Sequence, residues 1–401
     1  MEQPLPNRGH QGTVRLIFRK QFVFSKYERG PPLNLEASVV VVGGGPAGIA
    51  VAIAARARGL DSIVVDAQMP PIDKPCGEGL LPHGVMALRA LGIHLDSNTA
   101  YPFAGIRFSD QDSSASAKFS EGGGFALRRV RLHQLLLNRA ALAGVSFLWG
   151  THITDIESNH VTAGGNRIRY QWLVGADGQN SGVRKRVNLD FHSFTKKRYG
   201  FRKHYRIRPW TDVVEVYWGN GCQVVVTPVG IQEVGVAVFS RDPRLRLEQA
   251  LPMFPSLAGR LLGAIPTSRE LGNMTTLMRL PAVTRGRIAL VGDASGTVDA
   301  LTGHGLSLSF QQALYLAEAF EDGNISHYES AHRKINAMPA TMTRLMMLME
   351  RSDWVRRRTL RLFQKKPDLF TKLLSINTGD LPLSSVGAAE IADFGWKFLW
   401  A

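Results

Sequence analysis

The sequence predicts an α/β fold: a parallel sheet flanked by helices, interleaved with an antiparallel sheet and followed by a helical tail. Three observations carry that prediction. A β-branched run, Val39-Val40-Val41-Val42, opens onto Gly43-Gly44-Gly45-Pro46-Ala47-Gly48 and an alanine-rich stretch. Residues 187–280 mostly alternate apolar and polar positions with period two. Residues 338–401 are rich in Met and Arg, with Met at 338, 342, 346, 347 and 349.

Taken in order, residues 1–36 read as a disordered leader. Their longest apolar run, Leu16-Ile17-Phe18, is cut by Arg19 and Lys20, and Pro4, Pro6, Gly30, Pro31 and Pro32 flank it. That pattern is not a secretory signal. Folding is expected to begin near Ser38. Val39–Val42 is a strand buried on both faces, because neither face offers a polar position. Ile49–Arg58 is a helix ended by Gly59, and Ser62-Ile63-Val64-Val65 is a second strand closed by Asp66. Together they make one βαβ unit of about 30 residues.

Further on, 84–92 reads as a short helix, 103–108 with 115–120 as a hairpin, and 130–142 as a helix. The runs 145–149 and 168–174 are strands returning to the first sheet. Antiparallel strands are expected at 213–218, 223–227 and 233–239, with glycine turns between them. A strand at 287–291 and an apolar helix at 305–320 bring the chain back. The domains are therefore 37–186 with 281–337, then 187–280, then the helical segment 338–401. Residues 100–124 are expected to join the second sheet.

Composition narrows the function. The chain of 401 residues is 44% apolar and 20% charged, which fits a globular protein. Cys76 and Cys222 lie far apart, so neither a disulfide framework nor a metal site is expected, and a reducing cytoplasm is the default. The net charge is +15. No nucleic-acid module accompanies it, so no nucleic acid partner is expected. No stretch reaches the roughly 18 apolar residues that span a bilayer. Arg356, Arg357, Arg358, Arg361, Lys365 and Lys366 interleave with Leu360, Phe363 and Phe370. This leaves peripheral contact with an anionic membrane open beside simple packing on the domain.

Gly43, Gly45 and Gly48 have the GxGxxG spacing between a strand and a helix. The first glycine permits the tight turn, the second admits a pyrophosphate to the backbone, and the third lets helix and strand pack. Pro46 and Ala47 then start a helix whose free N–H groups and dipole face the phosphate. Asp66, 23 residues after Gly43, has the spacing of a carboxylate for ribose hydroxyls. Two later motifs accompany the turn: Gly175-Ala176-Asp177-Gly178-Gln179-Asn180-Ser181-Gly182-Val183-Arg184, and Leu290-Val291-Gly292-Asp293-Ala294-Ser295.

Over about residues 37–330 the chain resembles the flavoprotein monooxygenases of the p-hydroxybenzoate hydroxylase type and the related geranylgeranyl reductases. The resemblance implies a Rossmann-like FAD-binding domain, an antiparallel substrate domain and FAD as cofactor. It implies that Asp177 and Gly178 lie against the pyrophosphate and that Gly292 and Asp293 serve the ribityl chain. It also implies that Thr302-Gly303-His304-Gly305 faces the flavin ring. Arg129 or Arg128 fills the place of an arginine that contacts FAD. Lys74-Pro75-Cys76-Gly77-Glu78-Gly79-Leu80 resembles a flavin-proximal loop of the reductases.

Candidate catalytic residues are Cys76, Glu78 and His304, each with a plainer reading. Cys76 is also a small packed hydrophobe, Glu78 a helix cap, and His304 a hydrogen bonder behind the ring. Gln223–Pro228 lacks the aromatics of the reductases' Tyr-x-Trp-x-Phe-Pro string, and the halogenase Trp-x-Trp-x-Ile-Pro string is absent.

The expected function is thus an FAD-dependent monooxygenase consuming NADPH or NADH. It would hydroxylate a small aromatic or polyketide-like apolar substrate through a flavin hydroperoxide. Reduction of isoprenoid or lipid double bonds is the alternative, and a non-catalytic flavin-binding protein the alternative of another class. The basic cluster Lys196, Lys197, Arg198, Arg202, Lys203, His204, Arg206 and Arg208 reads as a solvated face, with guidance of NADPH or an acidic substrate as its rival.

Overall fold

The computed structural model describes residues 34–191, 193–385 and 387, so the expected leader lies almost wholly outside them. The first strand, β1 (Asn34–Val42), begins at Asn34 rather than near Ser38. It leads to α1 (Pro46–Arg56), which carries proline in its first turn, where no N–H is needed. Then come β2 (Ser62–Asp66), a helix at Pro82–Ala90, and the hairpin β3 (Gly105–Ser109) and β4 (Ser114–Lys118). The helix α2 (Arg129–Leu142) precedes β5 (Ser146–Trp149) and β6 (Asn166–Gly175).

The middle of the chain gives β7 (Ser193–Arg206), β8 (Val213–Trp218), β9 (Cys222–Gly230), β10 (Glu233–Ser240) and β11 (Leu271–Arg279). The return is β12 (Ile288–Leu290), followed by helices α3 (Gly305–Glu321), α4 (Ile325–Arg351), α5 (Asp353–Lys365) and α6 (Pro367–Thr378).

Two large sheets result. In the first, β12, β6, β1, β2 and β5 run parallel in that order. The order steps outward from β1 to both sides, so the loops at its C-terminal edge diverge there and open a crevice, the usual ligand position in such sheets. Val39–Val41, Ile49–Ile53 and Leu173–Val174 have no solvent exposure and form the centre of its core.

The second sheet runs β7, β10, β9, β8, β3 and β4, with β11 on the far side of β7. The hairpin at 105–118 therefore joins it, through a parallel pairing of β3 with β8. Period two divides its faces. Val224, Val226, Val234, Val236 and Val238 pack under Leu247 and Leu257. Phe108, Val216, Val225 and Phe239 look the other way, toward Leu360, Phe363, Phe370 and Leu374 of α5 and α6.

Three expectations are corrected. The basic stretch at 196–208 is not a solvated face. Most of it is strand β7, and Arg198, Arg202 and His204 are 5%, 2% and 0% exposed. Among the described side chains of the cluster, Lys197 and, at and beyond the end of the strand, Arg206 and Arg208 are exposed, and Lys203 is half-buried. A charged run with period two can bury one set when carboxylates await it, and the partners lie far away in sequence. Next, residues 187–280 are not antiparallel sheet throughout: they include two short helices, Leu247–Ala250 and Pro255–Leu261, that cover the valine face. Finally, the helical segment starts at Ile325, and α4 runs through Pro339. That proline is buried, so packing outweighs the lost backbone hydrogen bond.

Candidate functional site

The glycine turn is built by exclusion. A Cβ on Gly43, whose φ is +117°, would stand 2.3 Å from the Ala176 carbonyl oxygen, and one on Gly48 would stand 1.9 Å from the Gly43 oxygen. Both close approaches bring β1, β6 and α1 together, so a side chain at either place pushes backbone against backbone. Gly45 meets nothing within 4 Å and faces open space. Asp66 braces the turn: its Oδ2 accepts the Gly44 N–H at 2.6 Å and its Oδ1 the Gln68 N–H at 2.7 Å. His133 of α2 holds the Gly44 carbonyl at 2.8 Å.

Gly45, Pro46, Ala47, Cys76, Glu78, Arg129, Gly178, Gly292, Asp293, Gly303 and Gly305 line one continuous cleft and cavity of about 320 Å³. Gly43, Gly48, Asp66 and Asp177 shape it from behind. Asp177 turns away: its oxygens take the Ser181 hydroxyl at 2.5 Å and the N–H groups of Gly182 and Val183 at 2.7 and 3.0 Å. What it contributes is the form of the turn before Gly178, whose φ is +82°.

Asp293 opens onto the cleft, where its side chain is exposed to solvent. The protein walls around it push its carboxyl up, while Arg129 and Lys74 pull it down. Of the two arginines, Arg129 lines the cleft; the Nε of each is buried without a hydrogen-bond partner. Arg128 points elsewhere and pairs with Glu233 at 3.6 Å. A cleft with a helix N-terminus at Gly45–Pro46, an idle guanidinium nitrogen and an open carboxylate fits a dinucleotide: anionic phosphate for the first two, hydroxyls for the third. The residues present therefore fit FAD.

His304 is not placed to act on a group in the cleft. It is 1% exposed, its Nε2 meets the Asn377 carbonyl at 3.0 Å, and its ring stacks on His83 at 5.3 Å. Burial lowers its pKa, and that of His83 to about 3, so both rings are neutral. Cys76 does line the cleft, with its sulfur accepting the Glu78 N–H at 3.3 Å.

Glu78 does more than cap a helix. It has φ of +61° and is 2% exposed. Its Oε1 accepts the Arg129 N–H at 2.9 Å, at the start of α2, and also Arg202. Its Oε2 lies 2.6 Å from His204 Nε2, while His204 Nδ1 meets Ser268 Oγ at 2.9 Å. Arg202 also reaches Asp73 at 3.1 Å. Thr227 of β9 binds the Gly77 carbonyl at 2.8 Å. The loop 73–79 is thus pinned to the second sheet from both sides.

A second buried cluster joins the roof to the cofactor side. Arg198 pairs with Asp299 at 2.9 Å and Glu350 of α4 at 3.6 Å, and also bonds Gln223. Asp299 holds the Leu301 N–H at 3.0 Å, at the turn that leads into Gly303–Gly305. Sequence reasoning missed both clusters. The one available signal was the two-residue spacing of Arg202 and His204 in a strand-like region.

Beyond the loop the cavity becomes apolar. Phe103, Phe108, Val216, Phe239, Met346 and Phe363 are among its walls. Phe363 stacks on Phe370 at 4.5 Å, and Phe370 touches Phe108 at 5.2 Å, closing α5 and α6 over the sheet. The charged groups of the lining lie at the cleft (Lys74, Arg129, Asp293) or are held in ion pairs (Glu78 with Arg202, Asp299 with Arg198).

Residues 36–222 match the family model described as FAD binding domain. A menaquinone reductase of Mycolicibacterium smegmatis is 28% identical over 329 residues, 75% of this chain and 80% of that protein. The 6-hydroxy-3-succinoylpyridine 3-monooxygenase of Pseudomonas putida is 26% identical over 316 residues, 69% of this chain and 77% of that one. Among solved structures, a flavin-dependent brominase superposes with a TM-score of 0.74 at 17% identity, covering 86% of this chain and 94% of that one. At that identity the likeness speaks for the fold alone.

Proposed function

Because this chain is an FAD-dependent oxidoreductase of the superfamily that holds both flavoprotein monooxygenases and prenyl reductases, we propose that it reduces a carbon–carbon double bond. The substrate is a long apolar molecule such as a prenylated quinone, and NADPH or NADH supplies the electrons. The observation that carries this reading is the cavity beyond the loop 73–79, walled by phenylalanine, valine and methionine. Hydroxylation of a phenol calls for a base near the ring. Among the described residues no histidine lines the cavity, and the side chains of His204 and His304 are engaged, the first by Glu78 and Ser268, the second by the Asn377 carbonyl. The missing aromatics of Gln223–Pro228 are not decisive, since Phe103, Phe108, Phe239 and Phe363 line the cavity from other elements.

Bound FAD supplies hydride for such a reduction. The chain's own residues do the rest. The Gly45–Pro46 helix start and Arg129 take the diphosphate, Asp293 accepts hydroxyls, and Asp66 holds the glycine turn in shape behind them. Gly178, Gly292, Gly303 and Gly305 bring backbone close to the cofactor. Glu78, Arg202 and Thr227 fix the Cys76–Gly77 loop between cofactor and substrate. Helices α4, α5 and α6 keep water out of the apolar chamber, which protects a reduced centre from discharge.

The test is anaerobic mixing of FAD-loaded, NADPH-reduced protein with menaquinone or geranylgeranyl diphosphate. Flavin reoxidation without oxygen, with two hydrogens gained by the prenyl chain, is the expected result. Reoxidation only on adding oxygen, with an oxygen atom gained by an aromatic substrate, would replace this reading with hydroxylation.

A further inference from the structure

The helices that roof the apolar cavity carry a different face outward. On α4 and α5 that face presents Arg344, Arg351, Arg357, Arg361 and Lys365, all exposed. Their spacing of seven residues on the first helix and four on the second lines them along one side of each. Between the arginines stand two large apolar groups, Leu348 at 53% exposure and Trp354 at 50%. The Arg358 guanidinium lies 4.5 Å from the centre of the Trp354 ring. Acidic relief is slight: Asp353 is tied to Arg356 at 2.8 Å, and Asp112 stands 3.7 Å from Arg357. Ser352 ends α4 and caps α5 through the Val355 N–H, so Trp354 sits at the corner of the roof.

We propose that this corner is a docking surface for an anionic lipid membrane. An amphipathic helix pair with arginines on its polar side and exposed Trp and Leu between them suits the headgroup boundary, where the cations meet lipid phosphate and the indole sits among the glycerols. The opposite face of the same helices gives Leu345, Met346, Met349 and Phe363 to the cavity. The docked face and the substrate chamber are thus two sides of one layer. No helix of the described residues is long and apolar enough to cross a bilayer, which leaves contact from the surface. Docking stands on charge and exposure and does not depend on which reaction the flavin performs.

The experiment is flotation of the full-length, FAD-loaded protein with vesicles of pure phosphatidylcholine or of phosphatidylcholine mixed with phosphatidylglycerol. Binding is expected to the mixed vesicles alone and to weaken as salt rises. Each basic residue near such a surface contributes about fivefold in partitioning. The triple variant Arg351→Glu, Arg357→Glu, Arg361→Glu should therefore bind at least about a hundredfold less, and Trp354→Ala should also bind less. The net charge of +15 makes a control necessary. Arg206→Glu, Arg208→Glu, Arg244→Glu reverses three exposed arginines elsewhere and should float like the parent. Retained FAD absorbance in each variant shows that it is folded. The proposal falls if the parent stays with the soluble fraction in both mixtures, or if the control triple loses as much binding as the roof triple.

Discussion

The cofactor cleft and the apolar chamber share one cavity and are built in opposite ways. The cleft is made of backbone: tight turns, helix starts and glycines whose missing side chains leave room for a neighbour or a ligand. The chamber is made of side chains brought from β3, β8, β10, α4, α5 and α6. It is steadied by buried ion pairs whose members lie 124 residues apart for Glu78 and Arg202 and 101 apart for Arg198 and Asp299. The first kind of site leaves local marks in a sequence. The second leaves almost none, because each residue type is ordinary at its own position.

The comparison breaks first at the turn. Gly43→Ala forces a Cβ to 2.3 Å from the Ala176 oxygen at a φ of +117°. Purified protein should lose its flavin absorbance entirely, and retention of FAD at the parental level would show that the turn tolerates strain. On the chamber side, Glu78→Ala leaves Arg202 as a buried cation short of its main partner, at a cost of about 3–5 kcal/mol. Denaturant unfolding should show that loss. A double replacement, Glu78→Gln with Arg202→Met, should recover part of it, because the uncompensated charge is then gone.

A smaller effect separates two neighbours. Arg129→Ala should weaken FAD binding by about 1.5–3 kcal/mol, the range for a hydrogen bond to a charged group. Arg128→Ala, outside the cleft, should leave the dissociation constant within twofold (roughly 0.4 kcal/mol). Equal losses in a flavin titration would mean that the cleft extends further than drawn.

The last effect is on acid tolerance. His83 has its pKa lowered to about 3 and His332 to about 4, both by burial. The unfolded chain takes up protons near 6.5 that the folded chain refuses, so their neutral burial stabilises fully above that value and less as pH falls toward 4. Replacing both by Gln should flatten the decline of the melting temperature between about pH 6.5 and 4. An unchanged slope would place acid sensitivity in the carboxylates.

Much of the fold was legible in the chain. The βαβ opening, the hairpin that joins the second sheet, the strands at 213–240 and the helix after residue 305 all declare themselves through period and glycine. The loop 74–79 and the three glycine motifs were legible too, and they converge on one cleft. The burial of Arg198, Arg202 and His204 was not. A run of basic residues is usually a wet surface, and only the carboxylates of Glu78, Asp299 and Glu350 overturn that rule. The direction of His304 was hidden for a related reason: its partner, the Asn377 carbonyl, belongs to a helix 73 residues later.

Helix α4 ties the two halves together. Near its start, Tyr328 binds the Leu290 carbonyl at 2.7 Å, under the parallel sheet; near its end, Glu350 takes Arg198 and Arg241 beside the chamber. At about 1.5 Å per residue, its 27 residues make a beam of roughly 40 Å. Pro339, near the middle, removes one backbone hydrogen bond. One rod thus has two duties: the part before Pro339 anchors on the parallel sheet, and the part after it gives Met342, Leu345, Met346 and Met349 to the chamber. A substitution on that later part would reshape the chamber without touching the anchor.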